Sequence, residues 1–136
     1  MDLQRVTIVI PSLEPDEKML TLISELSKAG FSDIIIVDDG SGPKYNYYFD
    51  KAKNTYHCTI LVHGINMGKG RALKTAFNYI LVHRPESLGA ITVDSDGQHT
   101  IEDTLACVTA LIDHPDSLIM GCRNFLFKKA RLTACF

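Results

Sequence analysis

The hydrophobic residues of this chain fall into short continuous runs, separated by segments in which they recur with helical spacing. Runs rich in β-branched residues predict buried strands, at residues 6–10, 34–37, 59–62, 88–93 and 118–120. Spacings of three and four residues predict amphipathic helices between them. The predicted helices are one that ends at Gly30, one over 44–56, one between the loop 64–68 and Pro85, and one that begins at Thr100.

This alternation of strands and helices indicates an α/β fold with a parallel sheet, whose strands are joined by right-handed crossovers. In such sheets, ligands bind beyond the carboxyl ends of the strands. Three polar clusters follow predicted strands, at residues 12–16, 38–41 and 94–98. Each cluster alone is compatible with an ordinary loop, but their common position favours a ligand site at this edge.

The third cluster contains two carboxylates one residue apart, directly after a predicted strand. Asp94 and Asp96 point to the same side of an extended segment, and Gln98 lies two residues further on. Oxygen ligands in this arrangement suit Mg²⁺ or Mn²⁺, which usually keep positions open for substrate phosphates. Asp, Ser and Gly are also common turn residues, so a turn without a metal is the alternative.

A glycine-rich, basic segment at residues 66–72 begins the third predicted helix. Its glycines allow close approach of the backbone, and the helix presents free N–H groups and the positive end of its dipole. Lys69 and Arg71 add cationic donors suited to a diphosphate. The alternative is a solvated first turn capped by Asn66. The segment matches neither the P-loop nor the dinucleotide-binding fingerprint.

The composition limits the class of protein. A length of 136 residues is that of one domain, and a net charge of −2 gives no electrostatic case for nucleic acid or an anionic membrane. The four cysteines form no CxxC pair, and three lie in apolar segments, which indicates reduced thiols of an intracellular protein: Cys58, Cys107 and Cys122. We see no signal peptide and no membrane-spanning run, so we expect a cytoplasmic protein.

Four histidines are expected to be scattered structural or surface residues rather than ligands. They are His57, His63, His83 and His114.

Five segments stand in a characteristic order and spacing: residues 9–14 (Val-Ile-Pro-Ser-Leu-Glu), 37–41 (Val-Asp-Asp-Gly-Ser), 66–70 (Asn-Met-Gly-Lys-Gly), 93–99 (Val-Asp-Ser-Asp-Gly-Gln-His) and 121–123 (Gly-Cys-Arg). Together they resemble the nucleotide-sugar-binding half of the family 2 glycosyltransferases. The 93–99 segment is most similar to that of the polyprenol- and dolichol-phosphate sugar transferases. The resemblance implies a three-layer α/β/α fold of the GT-A type with a mostly parallel sheet.

The resemblance implies a nucleoside-binding role for residues after the first two strands. The nucleoside would lie against Pro11 and Glu14. Asp39, with Asp38 beside it, would hydrogen-bond the base or the ribose.

The resemblance also implies the residues that bind the metal and the phosphates. Asp94 and Asp96 would be the carboxylates of an Asp-x-Asp motif, and Gln98 would complete the shell of Mg²⁺ or Mn²⁺. Lys69 would lie near the phosphates, and Arg123 would approach the sugar or the diphosphate. Asp96 and Arg123 are therefore the expected catalytic residues.

The implied reaction is transfer of a sugar from a UDP- or GDP-sugar, with inversion, to a polyprenyl phosphate or a saccharide. A divalent metal would neutralise the charge of the leaving diphosphate. A hydroxyl acceptor would need a general base, whereas a phosphate acceptor is already anionic.

The chain departs from the family pattern near its end. Residues 1–125 correspond to the N-terminal half of the family domain, and 126–136 form a short basic tail for which disorder is the simplest expectation. We therefore expect a truncated or frame-shifted glycosyltransferase, or a deliberately shortened chain. Peripheral contact with the cytoplasmic face of a membrane, through the tail or in a full-length form, is the less favoured alternative. The alternatives are a module that binds nucleotide sugar without transferring it, and a sugar-nucleotide pyrophosphorylase. The latter is disfavoured because residues 11–16 replace its glycine-rich loop.

Overall fold

The computed structural model describes residues 2–95 and 100–114 with their side chains, and residues 119–124 and 129–134 as backbone. Four strands form an all-parallel sheet: β1 (Val6–Ser12), β2 (Asp33–Asp38), β3 (Thr59–Val62) and β4 (Gly89–Thr92). Their order is β3-β2-β1-β4, so β1 pairs with β2 on one side and β4 on the other. The predicted α/β class and parallel sheet are confirmed.

Helices connect the strands and cover both faces of the sheet. They are α1 (Glu17–Ala29), α2 (Asn46–Tyr56), α3 (Lys69–His83) and α4 (Ile101–Asp113). Residues of α1, α2 and α4 pack against one face, whereas α3 packs against the other. The result is the expected three-layer arrangement, consistent with a GT-A-type domain.

The ends of two helices follow the signals in the sequence. Gly30 adopts the left-handed conformation at the end of α1, with a φ of 111°, which glycine allows without strain. The Thr100 hydroxyl accepts the backbone N–H of Asp103 at 3.0 Å and caps the start of α4. Local side-chain chemistry therefore determines where these helices begin and end.

The face of the sheet under α3 is apolar. Val9, Ile35 and Val37 are fully buried there against Ala72 and Ala76 of α3. The two alanines leave little side-chain volume between helix and sheet, so the helix lies close to the strands. Because α3 follows β3, its first turn stands at the carboxyl edge of the sheet.

A closed polar network lies at the opposite, amino edge. Thr7 donates its hydroxyl to Asp33 at 2.6 Å, and Arg84 donates Nε to the other oxygen of Asp33 at 3.0 Å. Arg84 also donates to the hydroxyl of Thr59 at 3.3 Å, and the hydroxyls of Thr7 and Ser87 lie 2.9 Å apart. These contacts tie the end of α3 to the starts of three strands.

The described cysteines are unpaired thiols, as expected. Burial raises the pKa of Cys58 to about 12, and burial together with the charge of Asp103 raises the pKa of Cys107. Both are therefore protonated and poor nucleophiles at neutral pH. Of Cys122 only the backbone is described.

The end of the chain differs in detail from the sequence-based prediction. Strand β5 (Ile119–Asn124) begins near the predicted 118–120 strand but continues through residues 121–123. It pairs antiparallel with β6 (Lys129–Ala134), which lies within the expected basic tail. Ladder hydrogen bonds to β6 extend β5 beyond its apolar residues, and such pairing leaves little trace in hydrophobic pattern. Within the described residues, no helix combines the length and hydrophobicity of a membrane-crossing segment.

Candidate functional site

A cleft of about 440 Å³ opens at the carboxyl edge of the parallel sheet. It is lined by the residues that end β1 and follow β2 and β4, and by the first turn of α3 with the loop before it. These residues are Pro11, Ser12, Leu13, Asp39, Asn66, Gly68, Lys69, Ala72, Asp94 and Ser95. This is the edge at which parallel α/β sheets bind ligands.

Asp39 organises the loop on one side of the cleft. Its carboxylate accepts the backbone N–H groups of Met67 at 2.8 Å and Gly68 at 2.9 Å, and lies 2.8 Å from Nδ1 of His63. Burial alone would raise the pKa of Asp39, but the hydrogen bonds from Met67, His63 and Gly68 outweigh it, so the pKa lies below its ordinary 3.8. Asp39 is therefore an ionised residue that holds the start of α3.

Gly40 allows this loop to approach the end of β2. A Cβ at residue 40 would overlap the backbone nitrogen of Asn66 and the carbonyl carbon of Ile65. Its φ of 78° also lies in the left-handed region that favours glycine. Asp39 thus holds the loop by hydrogen bonds, and Gly40, which has no side chain, leaves room for the loop backbone.

Asp38 organises the loop on the other side, after β1. It is 6% exposed, and its Oδ1 accepts the backbone N–H of Ser41 at 2.9 Å. The Ser41 hydroxyl in turn accepts the N–H of Glu14 at 2.8 Å. Glu14 has a φ of 50°, an unusual conformation for a residue with a side chain. The two adjacent carboxylates therefore support two different loops of the same cleft.

Lys69 and Asp94 form an ion pair across the cleft. Lys69 is the first residue of α3, and its Nζ lies 2.6 Å from Oδ1 of Asp94. The side chains are 61% and 31% exposed, respectively. A cation and a carboxylate that both face solvent remain available to a charged ligand, because breaking such a pair costs little.

The structure brings together part of the predicted site. Pro11, Asp39, Lys69 and Asp94 line the cleft. Glu14 lies in the loop after β1, and Asp38, the last residue of β2, supports that loop through Ser41.

Other predicted site residues lie outside the described part of the chain. Asp96 and Gln98 are among them, and of Arg123 only the backbone is described, within β5. Among the described residues, no three or more His, Cys, Asp or Glu side chains are grouped to hold a metal ion. The metal site therefore stays a prediction.

His63 is a structural residue, as predicted, but sequence reasoning missed its contact with the site residue Asp39. The ring contacts Asp39 and Thr75, and the side chain is 8% exposed. The available signal was its position directly after a predicted strand, the same position that identified Asp38 and Asp94.

Comparisons with known proteins identify the family. Uncharacterized protein MJ1222 of Methanocaldococcus jannaschii is 29% identical over 118 residues, which are 87% of this chain and 46% of that protein. The chain thus spans about half the length of this curated relative. No solved structure matches the chain. The family model "Glycosyl transferase family 2" matches residues 7–133, so the chain belongs to glycosyl transferase family 2.

Proposed function

We propose that this protein binds a nucleoside-diphosphate sugar in the cleft and transfers the sugar, with inversion, to an acceptor such as a polyprenyl phosphate. The observation that carries the proposal is the exposed Lys69–Asp94 pair at the first turn of α3, in a chain of this family. One partner suits a phosphate and the other suits a metal ion that binds phosphate.

The diphosphate would bind at the amino end of α3. Gly68 precedes the helix, and the backbone N–H groups of the first turn lack partners within the helix. Lys69 adds a flexible cation at the same point, and its exposure allows Nζ to move from Asp94 to a phosphate oxygen. The Lys69 side chain would therefore supply positive charge to the diphosphate, and the backbone N–H groups would orient the diphosphate by hydrogen bonds.

The nucleoside would lie between the loops after β1 and β2. Pro11 and Leu13 give this wall an apolar surface for a base. Asp39 keeps acceptor capacity on Oδ2, which has Gly68 as its partner, so it can accept a hydrogen bond from the base or ribose. Asp38 and Glu14 would act by shaping the wall, because they are linked through Ser41.

The proposed metal is Mg²⁺ or Mn²⁺, held by Asp94, Asp96 and Gln98. Asp94 fits this role because its carboxylate is a hard oxygen donor that lines the cleft and is partly exposed. When bound, the metal would act as a Lewis acid on the leaving diphosphate. Arg123 is proposed to contribute a second positive charge near the sugar or diphosphate.

The acceptor decides whether a general base is needed. A phosphate acceptor is anionic at neutral pH and attacks without losing a proton, whereas a hydroxyl must be deprotonated. A polyprenyl phosphate is thus an acceptor for which this chain needs no general base.

Calorimetric titration with UDP and GDP, with and without Mn²⁺, tests the donor and the metal. We expect one nucleotide to bind, with Mn²⁺ strengthening binding at least about tenfold, and Asp96→Ala to abolish that gain. Asp50→Ala, an exposed change on α2, is the matched control. If neither nucleotide binds, the proposed function is wrong. If Asp96→Ala binds like the wild type, the metal assignment is wrong.

Transfer is tested separately, with the UDP- or GDP-sugars of the nucleotide that binds and polyprenyl phosphate. Sugar transfer would support the proposed transferase activity. Binding without transfer supports the module that binds but does not catalyse.

A further inference from the structure

His63 contacts both Asp39, after β2, and Thr75, in α3. The proposed donor site depends on the relative position of these two elements. The Nδ1 atom of His63 lies 2.8 Å from Oδ1 of Asp39, and its Nε2 lies 2.8 Å from Oγ1 of Thr75. The His63 and Asp39 side chains are 8% and 5% exposed. The ring is therefore a buried bridge between the end of β2 and the second turn of α3.

The hydrogen bonds around the ring indicate its protonation. The Thr75 hydroxyl donates its single hydrogen to the carbonyl of Arg71 at 3.0 Å, so it offers a lone pair to His63. The Asp39 carboxylate likewise offers lone pairs. With the Thr75 hydroxyl donating to Arg71, both ring nitrogens donate, and all these contacts are satisfied together when the ring is an imidazolium.

The bridge fixes a segment of the cleft at both ends. Asp39 holds the backbone N–H groups of Met67 and Gly68, just before α3. Thr75 lies six residues after Lys69 in the same helix. By contacting both Asp39 and Thr75, His63 sets the position of the helix turn that carries Lys69.

We propose that His63, as an imidazolium, is a positioning residue for donor binding: it orients Asp39 and Thr75 so that the start of α3 faces the diphosphate. The proposal rests on the proposed function for the ligand, but the positioning itself is a property of the protein alone. His63 does not line the cleft among the described residues, so it acts through the residues it holds.

In the part of the chain described with side chains, few charged groups surround the ring. From β2 and its end, Asp39 faces it directly, and the Asp38 carbonyl accepts the backbone N–H of His63 at 2.8 Å. The loop 64–68 has no charged side chain. On α3 the charged side chains of the first two turns are exposed, namely Lys69, Arg71 and Lys74. Asp39 is therefore the main counter-charge for the ring.

NMR of the ¹⁵N-labelled full chain tests the positioning without any ligand. We expect two protonated ring nitrogens on His63 in the folded protein. His63→Ala should displace both amide signals, whereas His83→Ala, which removes a ring packed on Tyr79 near the other end of α3, should not.

Binding of UDP or GDP with Mn²⁺ gives the second readout. We expect His63→Ala to weaken binding on the order of tenfold, because it removes a buried charge-assisted contact. His63→Asn can place an amide donor at the position of Nδ1, so it should recover most of the lost affinity, and more than His63→Gln. His83→Ala should bind like the wild type.

Two results would overturn the proposal. One is a His63 ring with a single N–H in the folded protein. The other is wild-type amide signals of Met67 and Gly68 in His63→Ala. If the wild-type protein binds neither nucleotide, the proposed function fails, but the NMR experiment still decides the role of His63.

Discussion

An ion pair lies at each end of α3, but the two pairs differ in kind. At the carboxyl end, Arg84 binds Asp33 at 3.0 Å, with side chains 30% and 18% exposed, and further contacts to Thr59 and Thr7 complete the network. At the amino end, Lys69 binds Asp94 at 2.6 Å, with side chains 61% and 31% exposed. The first pair is embedded among protein partners, and the second faces the cleft.

This difference separates a structural contact from one available to a ligand. Arginine presents several donors in a fixed plane, and here they reach more than one acceptor. Lysine is a single charge on a flexible chain, so it can exchange one anionic partner for another at little cost. We infer that the amino end of α3 keeps its rigidity through Asp39, and that the exposed Lys69–Asp94 contact can be exchanged for contacts with a charged ligand.

The largest expected effect on stability comes from Asp39. Asp39 accepts three hydrogen bonds inside the protein. In Asp39→Asn, an amide NH₂ group takes the place of one accepting oxygen and faces an N–H donor, so that hydrogen bond is lost. We expect a loss of about 3 kcal/mol in the free energy of unfolding at pH 7, measured by urea denaturation. A loss below about 0.5 kcal/mol would contradict the view that Asp39 holds the loop.

The same variant gives a test by pH. The pKa of Asp39 is lowered in the folded protein, so its ionised form is stabilised more there than in the unfolded chain. The stabilisation is complete above the unfolded pKa of about 3.9 and is lost as pH falls through the lower folded value. The stability difference between wild type and Asp39→Asn should therefore shrink as pH falls below about 4, and constant or growing differences would contradict it.

The next effect concerns the embedded pair. Asp33→Ala leaves the buried Thr7 hydroxyl and the Arg84 guanidinium without their common acceptor. We expect a loss of about 2 kcal/mol in the free energy of unfolding, with an unchanged dependence on urea concentration. Nucleotide affinity should stay as in the wild type, because Asp33 lies at the opposite edge of the sheet from the cleft; weaker binding would show that the two ends of α3 are coupled.

These contrasts also explain what the sequence could predict. The strands were visible because β-branched runs such as residues 34–37 are buried on both faces, and the start of α4 because Thr100 and Asp103 are near neighbours. The contacts of Asp39 with His63, Met67 and Gly68 span 24 to 29 residues, and a lone histidine has no periodic pattern. The sequence therefore predicted the edge of the sheet at which the site lies. It predicted a ligand-binding role for Asp39, but not that Asp39 holds the loop before α3.

A smaller effect is expected for the lysine of the exposed pair. Lys69→Gln removes the charge that would bind the diphosphate, so UDP or GDP affinity should fall about tenfold. Mn²⁺ alone should bind more tightly to this variant, because Lys69 no longer competes for Oδ1 of Asp94. Lys74→Gln, an exposed change one turn further along α3, is the control. If Lys69→Gln weakened binding of Mn²⁺ and nucleotide alike, Lys69 would support the site rather than exchange partners.

The smallest expected effect is on stability, and it completes the comparison. Asp94→Asn keeps the shape of the side chain and removes its charge, and exposed ion pairs contribute about 0–1 kcal/mol. We expect the free energy of unfolding to change by less than about 0.5 kcal/mol, and adding salt to weaken even that difference, since exposed charges are screened. A loss as large as that of Asp33→Ala would mean that Asp94 is committed to the fold. A residue so committed would not be available to a metal ion, and the distinction between the two ends of α3 would fail.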